Sequence, residues 1–210
     1  MKRATGRTDS PQAQNRVSIQ LTLGGHSFSA ESLRAAAEKL AQAGGKAPVG
    51  VEVLTEKTQL VPREEFAAET AGAYLRVAGT GCGAHEIPVW SDPARPVVAV
   101  MAADAEAVGM LREKFGGRLR FVSPLLSEPA LPPRAAWFSL RGELLYIKVY
   151  DGGLQFAEVV PCTGGEDFRF LLERLSAAFP LADFAAGISG DAGPEPVKAL
   201  KGYFKKIVCA

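Results

Sequence analysis

Cys82 and His85, within Gly79-Thr80-Gly81-Cys82-Gly83-Ala84-His85, have a spacing that suits a metal ion or a thiolate–base pair. The chain offers too few partners for the first use. It holds 2 His and 3 Cys, and Cys162 and Cys209 lie far along the chain from Cys82. The glycines of 79–83 imitate a dinucleotide fingerprint, but that motif opens a helix after a strand, and here the run follows a helical pattern. It reads as a loop. Glu64-Glu65, Glu166-Asp167 and Asp191 would serve acid–base chemistry if paired across a cleft. The first two pairs sit where helices open, and negative charge there complements the helix dipole without any catalytic role. Lys198, Lys201, Lys205 and Lys206 form a basic run, the one place to look for RNA or an acidic partner. Only Tyr203 and Phe204 accompany it, and both read as packing inward. No catalytic residue, metal site or cofactor is expected from these groups.

The bulk composition narrows the classes further. Hydrophobic residues make up 47% and charged residues 22% of the 210, enough to bury a core and too apolar for a disordered chain. With 24 basic against 23 acidic residues the net charge is +1, so no global field recruits nucleic acid or an anionic membrane. Three scattered cysteines do not make the disulfide framework of a secreted domain. The basic Lys2, Arg3 and Arg7 precede polar residues where a signal peptide needs an apolar run, and no segment approaches a membrane span. The expectation is a cytoplasmic protein with no membrane partner, and with residues 1–15 a disordered N-terminus.

The elements follow from periodicity. Val17, Ile19, Leu21 and Leu23 alternate with polar residues, and Gly24-Gly25 reads as a hairpin turn into His26–Ser29. Glu31–Gln42 is rich in helix formers and ends at Gly44-Gly45. Val49–Leu54 predicts a strand that Gln59-Leu60-Val61 continues, and Pro62 predicts the start of a helix over Arg63–Val77. Val97–Met101 predicts a strand, Asp104 caps a helix that stops at Gly116-Gly117, and Leu119–Val122 adds a strand. Pro124, Pro129, Pro132 and Pro133 mark 124–134 as a linker. Three apolar strands then follow, about Trp137-Phe138-Leu140, Leu144–Tyr150 and Leu154–Val160, joined by Arg141-Gly142 and Asp151-Gly152-Gly153 turns that imply sequential antiparallel pairing. Thr163 and Glu166 match a capping box for a helix through Phe179. Phe184–Ile188 predicts a fourth strand, and Glu195–Ile207 a final helix.

Each half thus runs strands first and then alternates helix, strand and helix, an order that resembles a ribonuclease-H-like unit; two such units make the actin-like ATPase architecture. The chain also resembles a bacterial family of unknown function, the domain of unknown function numbered 3822. The resemblance is carried by Arg16-Val17-Ser18-Ile19-Gln20-Leu21 with Gly25–Phe28, by Leu60-Val61-Pro62 with Glu65-Phe66, and by Glu166-Asp167-Phe168. It implies an α/β fold of two tandem ribonuclease-H-like halves, 16–123 and 135–210, with mixed sheets and flanking helices. The chain departs from that family at the alanine-rich helix near 31–42, where a hairpin would continue.

Members of the actin-like superfamily with activity hold phosphates on two glycine hairpins and position a metal ion with nearby Asp residues. The resemblance implies a nucleotide cleft at Gly24, Gly25, Ser27, Ser139, Arg141 and Gly190. The acids are missing: the first strand offers Ser18, Gln20 and Thr22, and the second offers Ser139. The paired glycines that approach adenosine are reduced to Gly190. Without carboxylates, Mg²⁺ has no seat. The reading is a non-catalytic binding or scaffolding protein with a degenerate nucleotide site. Its alternatives are an ATP-binding protein, ATPase or small-molecule kinase, and an RNA-associated partner.

Overall fold

The computed structural model describes residues 17–22, 30–43, 47–127, 130–191 and 193–209, which form eleven strands and five α-helices in three sheets. β1 (Val17–Thr22) and β2 (Val49–Leu54) pair in parallel, with α1 (Ala30–Ala43) between them in sequence. A separate antiparallel sheet comes next, from β3 (Thr58–Pro62), β4 (Glu86–Trp90) and β5 (Val97–Asp104) in the order β3-β5-β4, together with α2 (Ala71–Val77). α3 (Ala105–Phe115) then leads to β6 (Leu119–Val122), which pairs in parallel with β2 and completes the order β1-β2-β6. The alternation of β2 buries Val49, Val51 and Val53 against Leu33, Val108, Leu111 and Phe115 of α1 and α3. Asp104 caps α3 as its sequence predicts, its Oδ1 accepting from the Ala107 N–H at 2.8 Å.

The rest of the chain builds one five-stranded sheet. β7 (Arg134–Arg141), β8 (Leu144–Asp151) and β9 (Leu154–Pro161) are sequential antiparallel neighbours, turned at Gly142 and Gly152, whose φ values of 57° and 75° favour glycine. After α4 (Gly165–Ala178), β10 (Ala185–Gly190) returns parallel to β7, and after α5 (Pro194–Leu200), β11 (Lys206–Cys209) lies parallel to β10. The order is β11-β10-β7-β8-β9. One face carries Phe138, Leu140, Leu145, Ile147 and Val149 into a core with Phe168, Leu171 and Leu172 of α4 and Leu200 of α5. The opposite face brings Trp137, Tyr146 and Val159 against Leu54 and Leu125, so the sheet is covered on that side by the preceding part of the chain.

Several expectations need correction. The helix expected over 63–77 begins only at Ala71. Phe66 and Ala67 are extended, because the Phe66 ring packs against Tyr74 and Trp90 and the Ala67 N–H donates to the Tyr74 hydroxyl. Residues 59–61 do not prolong β2 but belong to the antiparallel sheet, where Leu60 pairs with Ala99. The expected Thr163–Glu166 capping box does not form: Gly164 is the N-cap of α4 and makes no side-chain cap bond, while Thr163, one residue earlier, donates its N–H at 2.9 Å and its hydroxyl at 2.8 Å to Asp167 Oδ2.

The final helix stops at Leu200 instead of Ile207. Buried Phe204, whose N–H donates to the Leu200 carbonyl, turns the chain back, and β-branched Ile207 and Val208 extend beside β10. Lys198 therefore lies on α5, Lys201 in the turn, Lys205 just before β11 and Lys206 on it, and they share no helix face. The expected hairpin at 23–29 and the Gly44-Gly45 stop lie outside the described residues, as do residues 1–16.

Candidate functional site

Ser139 and Arg141 are two residues apart on β7, so the pleat places them on the same face as Trp137. Register pairs Ser139 with Tyr146 on β8 and with Ser189 on β10. Ser139 is fully buried, and among the described residues neither its Oγ nor the buried Nε of Arg141 has a hydrogen-bond partner. Buried polar atoms almost always find partners, so two orphans on adjacent positions of one strand face mark a local concentration of unsatisfied polarity. Arg141 forms no ion pair among the described residues.

The turn after Arg141 adds a backbone donor. In a two-residue hairpin the central amides do not join the strand ladder, which leaves the Gly142 N–H directed outward. It donates to Asp191 Oδ2 at 3.2 Å, while the Asp191 N–H donates to the Leu140 carbonyl at 2.9 Å. Gly190, at φ 84°, makes this approach: a Cβ there would lie 2.0 Å from the Leu140 oxygen and 3.2 Å from an Arg141 Nη1. Ser139, Arg141 and Gly190 thus gather at one end of the β7–β10 pair. Gly24, Gly25 and Ser27 lie outside the described residues.

On the same sheet face, Tyr146 reaches the preceding part of the chain, its hydroxyl accepting from the Thr55 N–H at 3.2 Å. Burial pushes this phenol far above its ordinary range. The Thr55 bond works against that shift and the Glu52 carboxylate adds to it. Glu52 escaped the sequence reading because an acid alternating with valines reads as solvent-facing. Lys148 escaped too, although a lysine inside the apolar run Leu144–Tyr150 was a signal. It is 2% exposed, its ammonium donates to the Ser127 carbonyl, and it lies 4.7 Å from the Trp137 ring centroid and 5.6 Å from that of Tyr150. It fastens the proline-rich segment to the sheet.

The remaining candidates do not assemble. Burial first, and then Glu86, push the Cys82 thiol up, the opposite of an activated nucleophile. Burial also pushes the Glu86 carboxyl up, but the Gly83 N–H at 2.6 Å and the Lys57 ammonium at 2.7 Å more than offset it and leave it below its ordinary value. Its contribution is present above the ordinary carboxylate range and is lost as pH falls through the lowered value. Glu64 and Glu65 sit in a short 3-10 turn, and Asp167 lies in the first turn of α4 bonded to Thr163, so these carboxylates serve local structure. Among the described residues no three His, Cys, Asp or Glu side chains group as metal ligands, and no helix is long and apolar enough to cross a membrane. A cavity of about 370 Å³ lined by Trp90, Asp92, Arg112 and Arg120 shares no residue with the β7–β10 site.

No family model matches the chain, and no curated protein matches it. Solved structures do. A Bacteroides thetaiotaomicron protein with an actin-like ATPase fold and unknown function is 16% identical, with 84% of this chain and 75% of that one covered and a TM-score of 0.66. The cytoplasmic domain of EpsL, an inner membrane component of the type II secretion system of Vibrio cholerae, is 11% identical over 90% and 93% of the two chains, at a TM-score of 0.46. An AlfA filament bound to AMPPNP is 10% identical over 84% and 57%, at 0.43. The family resemblance read from the sequence has no further support from these matches. What the first likeness shows is a fold: this mixed α/β chain is built like a protein with the actin-like ATPase fold.

Proposed function

We propose that the chain is a non-catalytic binding or scaffolding module of actin-like fold, with a nucleotide cleft that has lost its metal-holding acids. In this reading 16–123 and 135–210 are two ribonuclease-H-like halves, joined by 124–134, and the protein works in the cytoplasm. The order β11-β10-β7-β8-β9, three antiparallel strands followed by two parallel additions, supports the second half. The parallel order β1-β2-β6 supports an abbreviated first half, with the β3-β5-β4 sheet inserted before α3.

Ser139 carries the functional part of the reading. The resemblance to the actin-like superfamily puts it where active members present an acid, and it is fully buried. A neutral hydroxyl with no access to solvent does not replace the charged oxygen ligands that Mg²⁺ requires. Incubation with ATP and Mg²⁺, followed by a phosphate-release assay, is expected to show no turnover above the protein-free blank. Sustained release that tracks the protein through purification would overturn the reading.

A second reading, ATP binding with or without phosphoryl transfer, draws on Arg141. Its buried Nε has no hydrogen-bond partner among the described residues, and its guanidinium lies beside the Gly142 turn and Gly190, a setting that suits an anionic group. An RNA-associated role has less behind it, because the four lysines are divided among a helix, a turn and an edge strand.

A further inference from the structure

The contact between Asp191 and the Gly142 turn bears on why the cleft would be closed to nucleotides. The Gly142 N–H is the outward donor of a tight turn, next to a guanidinium with no ion pair among the described residues. A phosphate oxygen would seek that combination of backbone amide and arginine. A carboxylate oxygen of the chain itself already accepts from the amide, at 3.2 Å. It is not there by loose chance, since the Asp191 N–H is fixed to the Leu140 carbonyl at 2.9 Å and Gly190 supplies the φ of 84° that delivers it. Asp191 is exposed, so the contact can open without dismantling the core.

We propose that the Asp191 carboxylate is a built-in occupant of the anion-binding end of the 141–144 turn, and that a phosphate-bearing ligand seats there only by displacing it. The proposal rests on the nucleotide-cleft reading and deepens it: the site is closed by an internal acid as well as stripped of metal ligands. Two effects favour the closed state. Displacement breaks a charge-assisted hydrogen bond, and the displaced carboxylate then repels the incoming phosphate.

Titration calorimetry with ATP as the probe tests this on the full chain, comparing wild type with Asp191→Asn, Asp191→Ala and the surface control Asp183→Asn. Removing the charge is expected to tighten ATP binding by roughly tenfold or more in both Asp191 variants, with no change in Asp183→Asn and none for adenosine, which lacks phosphate. Thermal melts establish that the variants are folded, and the Asn variant retains a neutral acceptor for the Gly142 N–H. Equal ATP affinity across all four proteins, no binding by any of them, or an equal gain for adenosine would overturn the occupant. The module reading is judged separately: ATP turnover by wild type removes it, whatever the Asp191 ratio.

Discussion

Gly190→Ala should lower the stability of the chain by about 3 kcal/mol, read as a shift of the urea midpoint at unchanged slope. The substitution meets two penalties together. At φ 84° an L-residue is strained, and the new Cβ would sit 2.0 Å from the Leu140 carbonyl oxygen, a backbone atom of the paired strand that cannot swing aside. Relief would require β10 to move away from β7, breaking the register that pairs Gly190 with Leu140 and the adjacent Asp191–Leu140 bond. Gly153→Ala is the matched control, because a Cβ added there would meet nothing within 4 Å and its φ is not in the left-handed region. That change should stay within about 0.5 kcal/mol of wild type. Equal costs at the two positions would show that Gly190 is not locked as described.

Trp137→Ala should cost more, about 4 kcal/mol in the same measurement. Trp137 is 3% exposed and packs in the cluster that joins β7, β8 and β9 to Leu54 and Leu125. Truncation leaves a cavity there and also removes the ring over which the Lys148 ammonium lies at 4.7 Å, exposing a buried charge to a poorer environment. Trp137→Phe keeps an aromatic face and should recover more than half of the loss. A cost below about 1 kcal/mol for the alanine variant would mean that the cluster does not hold the sheet to the preceding chain.

The chain from Arg134 onward is legible because its local signals agree with one another. Alternating apolar residues, turn glycines at Gly142 and Gly152, and the stripe Phe168, Leu171, Leu172 and Leu175 all point to helix on antiparallel sheet, and that is what forms. Failures occurred where a distant contact overrides local preference. Arg63–Val77 has helical periodicity, yet the docking of Phe66 on Trp90 keeps its first residues out of a helix. The segment after Leu200 has helix-forming lysines, yet the burial of Phe204 beside Phe138 and pairing with β10 turn it into a strand.

At the site, glycine chemistry was readable from residue type alone, but the roles of Tyr146, Lys148 and Asp191 were not. The Tyr146–Thr55 bond spans 91 positions, and the Gly142–Asp191 bond spans 49. No window of sequence contains both partners of either. Ser139, by contrast, was named from the sequence alone, and the fold adds that its hydroxyl is sealed from solvent.

The most direct test of the central claim is the magnesium dependence of ATP binding to the wild-type chain, measured by titration calorimetry in the presence of Mg²⁺ and again with chelator. Loss of the metal-holding acids predicts weak binding that is the same in both conditions. Tight binding that appears only with Mg²⁺ would contradict it, as the sign of a metal seat built by the protein and the phosphates together.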